Sequence, residues 1–215
     1  MSLLNKLQGN LSITFILDIA IPGLKEIFKH EGFKEVSISP QPVQAAPGII
    51  FGPPRVPIAV FDNTRITYFP ERYRLDFQGP INEILKLKEL VTSLFEKHNY
   101  ALSDMTRYTE FSMQPQPIEC NELIDKIRSS ITVKNIEGLN EICECQMKPF
   151  SVSLSNMDTA LSDEWFHITL RPDVNRPHEI MLVQIVKRTP KFEEMNIYLN
   201  KLEGILSEIR NMLSA

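Results

Sequence analysis

The sequence predicts an α+β protein in which one order of elements, strand, short helix, three strands and long helix, occurs twice, with an antiparallel sheet covered on one face by long amphipathic helices. Three observations predict it. Residues 12 to 19 alternate apolar and polar side chains as a half-buried strand does. An apolar stripe at helical spacing runs on from Gly79-Pro80. A second stripe closes the chain, with Phe192, Met195, Leu199, Leu202, Leu206, Ile209 and Leu213 three and four residues apart.

The first unit is assigned to residues 1–100. Its opening strand places Ile13, Phe15, Leu17 and Ile19 on one face and Ser12, Thr14 and Asp18 on the other. Pro22 then suits the first turn of a short helix carrying Leu24, Ile27 and Phe28, and Gly32 suits the left-handed turn that ends it. Between residues 40 and 57 stand six prolines, which block regular hydrogen bonding and predict a loop. Three strand signals follow: Ile58 to Phe61, Ile66 to Phe69 beyond an Asp62-Asn63 turn, and Tyr73, Leu75 and Phe77 alternating with Arg72, Arg74 and Asp76. The helix from Gly79-Pro80 to about His98 carries Ile81, Ile84, Leu87, Val91, Leu94 and Phe95.

The second unit is assigned to residues 101–215, and the two units together are compatible with one continuous domain. Residues 101 to 113 read as a strand, and Cys120, Leu123, Ile124 and Ile127 as a short helix after Pro117. Strands follow at 141 to 154, 164 to 171 and 179 to 188. The closing helix is expected to take Thr189 as its cap and Pro190 as its first residue. Tyr198, Ile205 and Met212 widen its stripe, which fits packing on a sheet, while part of it offers a seam for a homodimer. The repeat lies in element order and length, and duplication is a hypothesis.

Composition bounds the function. With 43% hydrophobic and 23% charged residues the chain is expected to fold throughout. The apolar run Ile13 to Ile21 is interrupted by Asp18, so no membrane span is expected, and without a basic start and cleavage site the expected location is the cytoplasm. Net charge is −4; the first hundred residues hold 11 Lys and Arg against 10 Asp and Glu, the remainder 12 against 17. That is not the basic footprint of a nucleic-acid binder. No phosphate loop, dinucleotide-binding turn, nucleophile elbow or zinc-protease helix motif is present, so no cofactor is expected.

Several residues stand out chemically. Arg72 and Arg74 share a face with Asp76 if their strand is regular, and Arg65 on the neighbouring strand joins them in a row suited to a phosphate or carboxylate; the plainer reading is a solvated face with an internal ion pair. If the strand at 164–171 buries Phe166, Ile168 and Leu170, then Trp165, His167 and Thr169 face the other way together, as a ligand surface or a packing contact. Cys143 and Cys145 fall on one face of a predicted strand, and with Cys120 and a histidine they number four metal ligands. They lack zinc-knuckle spacing, and buried reduced thiols are the simpler expectation. Pro53-Pro54-Arg55-Val56-Pro57 has the P-x-x-P spacing of polyproline ligands, against the plainer role of a rigid loop.

Taken with the stretches Pro47-Gly-Ile-Ile-Phe51, Val56 to Phe61 and Arg65 to Phe69 and the helix from Pro80, the element order resembles the repeat of TATA-box-binding-protein-like folds and, more loosely, helix-grip folds. The resemblance is of topology, spans nearly the whole chain and implies a sheet face that grips the DNA minor groove; no binding residue carries over. The run Asn63-Thr-Arg-Ile-Thr with Arg107-Tyr108-Thr-Glu-Phe111 is also similar in layout to a sporadic prokaryotic family of unknown function.

The leading expectation is therefore a non-catalytic binding or assembly protein that presents a sheet face or groove to a protein partner or small ligand. Its face residues are Arg65, Arg72, Arg74, Trp165 and His167. The alternatives are a nucleic-acid-binding regulator and a small enzyme using Cys143, Cys145 or His167.

Overall fold

A computed structural model describes residues 7–30, 32–36, 55–119, 125, 137–146, 150–156 and 162–214. In chain order the elements are β1 (Gln8–Phe15), α1 (Ile21–Ile27), β2 (Phe33–Glu35), β3 (Val56–Phe61), β4 (Thr64–Phe69), β5 (Arg74–Pro80), α2 (Ile81–Lys97), α3 (Leu102–Met105) and β6 (Thr106–Glu119). They continue with α4 (Glu137–Ile142), β7 (Val152–Ser155), β8 (Trp165–Pro172), β9 (Ile180–Thr189), α5 (Phe192–Asn200) and α6 (Leu202–Ser214).

The nine strands form one antiparallel sheet in the order β2-β3-β4-β5-β1-β6-β9-β8-β7. The first strand of each half meets the other at the centre, where β1 pairs with β6. From that seam the order β5, β4, β3 on one side mirrors β9, β8, β7 on the other.

One face of the sheet carries the core. Leu11, Ile13 and Phe15 of β1, Leu75 and Phe77 of β5, Phe111 and Met113 of β6, and Val183 and Ile185 of β9 are buried there. Over them lie Leu24 and Ile27 of α1, Leu87, Val91 and Phe95 of α2, Met195 and Leu199 of α5, and Leu202 and Leu206 of α6, all in one apolar cluster. Alternation along each strand and the 3.6-residue turn of each helix bring these stripes together, and each fully buried side chain contributes about 1.5–3 kcal/mol. Among the described residues no helix is long and apolar enough to cross a membrane.

Where strand and helix positions depart from the sequence reading, the cause is local. β1 begins at Gln8 and ends at Phe15, so Leu17, expected inward, is 73% exposed. The β1–β6 register slips between Thr14 and Phe15 at that point. Arg72 belongs to a 3₁₀ turn, Pro70–Arg72, and Tyr73 follows in left-handed backbone (φ 50°), so Arg72 is cut off from the face of Arg74. Among the described residues of the expected strand at 141–154 only β7 is extended: α4 ends at Ile142, Glu144 adopts φ 51°, and β7 spans four residues. Conversely β6 runs through Pro115 and Pro117 to Glu119. Its pairing with β1 stops at Met113 and its ladder with β9 shifts between Met113 and Gln116, so the prolines fall at a bulge and beside an unpaired edge. The closing helix is two helices that part at Lys201, and Lys191, not Thr189, occupies the cap position. The short helix expected at Cys120 to Ile127, apart from the helical Asp125, the proline-rich loop with its P-x-x-P spacing and the Pro47 to Phe51 stretch lie outside the described residues, except that the loop's last residues, Arg55 to Pro57, lead into and begin β3.

Candidate functional site on the helix-free sheet face

Because side chains alternate along a strand, the opposite face of β1 presents Asn10, Ser12 and Thr14. Cross-strand register extends each into a row. Ser12 lies between Asp76 of β5 and Glu110 of β6; Thr67 stands beyond Asp76, and Arg188 and Trp165 beyond Glu110. The row through Asn10 holds Arg65, Gln78, Ser112, Val186, His167 and Ser155, and the row through Thr14 holds Phe69, Arg74 and Tyr108.

On the β5 side, Arg74 donates through Nε and Nη2 to Asp76 Oδ1 and Oδ2 at 2.6 and 2.8 Å, and its guanidinium lies 5.7 Å from the centre of the Phe69 ring. The bond to Asp76 raises the Arg74 pKa more than burial lowers it. On the β9 side, Arg188 donates to Glu110 Oε2 through Nε at 2.8 Å and also through Nη2, and through Nη1 to the Ser162 carbonyl at 3.1 Å. The same guanidinium lies 4.9 Å from the Tyr108 ring and 5.8 Å from the Trp165 ring. Trp165 stacks on His167 with ring centres 5.1 Å apart, and its indole N–H donates to Ser155 Oγ at 3.0 Å. Two charge-assisted pairs thus flank the polar stripe of β1, each backed by an aromatic ring.

Not every polar atom on this face is satisfied. Asn10 Oδ1, Thr14 Oγ1 and His167 Nδ1 are buried without a hydrogen-bond partner among the described residues, an arrangement that costs stability unless a further partner is supplied.

Arg65, Arg74, Trp165 and His167 all lie on this face, as the alternation requires, whereas Arg72 lies in its turn. They do not converge on one point. β4, which carries Arg65, and β8, which carries Trp165 and His167, are separated by β5, β1, β6 and β9, roughly 24 Å across the sheet. The sequence reading gives Tyr108, Glu110 and Arg188 no part in a binding face. Tyr108 and Glu110 alternate visibly with Thr109 and Phe111, but which arginine answers Glu110 depends on strand register, and that is a tertiary fact.

Among the described residues the cysteines form no centre. Cys143 and Cys145 are exposed in the turn after α4, contrary to the expectation of buried thiols on a strand, and Cys120 lies outside the described residues. Among the described residues no three potential ligands gather. His167 Nε2 sits 2.9 Å from Thr169 Oγ1, the beginning of a base and nucleophile pair, yet activation needs a third group to orient the imidazole, and its Nδ1 has no partner among the described residues.

Among the described residues two surface cavities stand out. One, of about 350 Å³, opens on the helix-free face over β3, β4 and β5. The other, of about 580 Å³, is an apolar groove on the helix side between Leu154, Ile168 and α6. No protein-family model, curated protein or solved structure matches this chain.

Proposed function

We propose that the protein is a non-catalytic binding protein whose helix-free sheet face holds a small ligand or a protein partner. The observation that carries this reading is the prearranged face itself: Arg74–Asp76 and Glu110–Arg188 locked in place beside Ser12, Trp165 stacked on His167, and buried polar atoms without a partner among the described residues. Internal pairing fixes the side chains before any ligand arrives, which lowers the ordering cost of binding. Trp165 is the chain's sole tryptophan, so its emission reports on this face. The test exposes immobilised protein to candidate ligands and partners and repeats each positive result with Arg65→Met, Trp165→Phe and His167→Ala, using Arg72→Ala as the control off the face. Loss of binding in the face variants with retention in the control is the expected outcome; retention in all of them overturns the reading.

A second reading, a nucleic-acid-binding regulator, is favoured by one observation: the strand order mirrored about the β1–β6 seam, which is also what a duplicated TATA-box-binding-like unit implies. Set against it, Arg74 and Arg188 are already neutralised by Asp76 and Glu110. It requires duplex binding that weakens steeply with salt as counterions are released, and unchanged fluorescence anisotropy of labelled DNA at low salt removes it.

A further inference from the structure

Among the described residues the helix-free face carries exposed arginines without a hydrogen bond or ion pair at Arg171 of β8 and, gathered around a recess, at Arg55 and Arg65. Outward side chains of β4 come from alternate residues, so Arg65, Thr67 and Phe69 project from the same face about 7 Å apart in sequence along one strand. Gln78 of β5 lies directly across from Arg65, and Asp76 across from Thr67. Over these residues opens the cavity of about 350 Å³, with Val60 in one wall and Arg55, just before β3, at its edge.

Among the described residues the positive charge at this cavity is unanswered. Asp76 is taken up bidentately by Arg74. Arg55 and Arg65 are exposed, and among the described residues neither makes a hydrogen bond or an ion pair. Two guanidinium groups without counter-charge therefore border a recess that also offers a hydroxyl, an amide and an apolar wall. The planar fork of arginine matches the oxygens of carboxylates and phosphates, and the volume is near the lower limit for small-molecule sites.

We propose that this cavity binds a small organic oxyanion, its carboxylate or phosphate head met by Arg55 and Arg65 and its compact apolar body laid against Val60 and Phe69. The proposal rests on reading the helix-free face as the binding face, and it names the ligand class. Thr67 and Gln78 complete the head-group shell as neutral hydrogen-bonding groups. Phe69 is held in position by Arg74, which stacks on it.

The test is a titration of ¹⁵N-labelled full-length protein, followed by amide chemical shifts, with benzoate, phenyl phosphate and the neutral analogue benzyl alcohol. The expected result is saturable shifts at Arg65, Thr67 and Gln78 with at least one anion and none with benzyl alcohol. Arg55→Met and Arg65→Met should each weaken binding about tenfold or more. The stronger anion assigns the head group as carboxylate or phosphate. Both replaced residues are exposed, so unchanged shifts elsewhere in each variant establish that it folds. No response at these amides to either anion, an equal response to benzyl alcohol, or undiminished binding in both variants overturns the proposal. If Trp165 emission responds to some other ligand while this cavity stays silent, the oxyanion assignment falls and the binding-face reading stands.

Discussion

Gly79 and Thr64 approach so closely where β4 meets β5 that a β-carbon on Gly79 would lie 2.4 Å from Thr64 Oγ1 and 2.8 Å from Thr64 Cα. Gly79→Ala is therefore expected to destabilise the protein by roughly 1–3 kcal/mol, measured by urea unfolding, because backbone must shift to admit the methyl group. Trimming Thr64 to alanine in the same chain should not restore stability, since the Thr64 backbone remains in the way.

The tip of the β3–β4 hairpin is tied to α2 through Glu83, which accepts from the Asn63 backbone N–H at 2.9 Å, Asn63 Nδ2 at 2.8 Å and Thr64 Oγ1 at 2.9 Å. Burial pushes the Glu83 pKa up, but these bonds outweigh it and hold the carboxyl below the ordinary glutamate value. The unfolded chain thus takes up the proton first as pH falls. The contribution is complete above the unfolded carboxyl's pKa and is lost as pH drops through the lower folded value. Glu83→Gln is expected to cost about 1–2 kcal/mol at neutral pH. Unfolding curves of the two proteins should converge in acid; a constant gap across the pH range would refute the linkage.

Arg188 and Glu110 form a largely shielded pair, with side chains 17% and 18% exposed, unlike the exposed Lys29–Glu26 pair at 4.0 Å. A double-mutant cycle with Arg188→Met and Glu110→Gln is expected to give a coupling of roughly 1–3 kcal/mol, whereas the Lys29–Glu26 cycle should give less than about 1 kcal/mol. The Arg188 variant should also shift Trp165 emission, since its guanidinium is removed from beside the indole.

Tyr198 packs between Phe111 and Phe166, and its hydroxyl is buried with no hydrogen-bond partner among the described residues. Burial raises its pKa well above the usual tyrosine range. Tyr198→Phe keeps the ring contacts and removes the stranded hydroxyl, so thermal unfolding should show a gain of about 1 kcal/mol. A loss of stability would mean the hydroxyl has a partner after all.

Alternation and helical periodicity carried much of the architecture. They located the β1 core residues Ile13 and Phe15, the whole of α2, the Asp62-Asn63 turn where Asp62 takes φ 49°, and the shared outward face of Trp165 and His167. These are properties of neighbours in the chain, so the sequence states them directly. Arg65 and Arg74 were legible as face residues for the same reason, but their difference was not. Arg74 is neutralised by Asp76 two residues away and Arg65 has no counter-charge among the described residues, because side-chain direction and cross-strand register decide which charges meet.

What the sequence by itself determined is the α+β class and the faces of its strongest strands and helices, since burying an apolar stripe is a demand each segment makes alone. Tertiary structure decided the pairing of β1 with β6, the passage of β6 through two prolines, the removal of Arg72 into a turn and the meeting of Glu110 with Arg188. Each of these depends on which remote strand supplies the neighbouring hydrogen bonds or charge. A segment's own pattern holds no record of its partner's register.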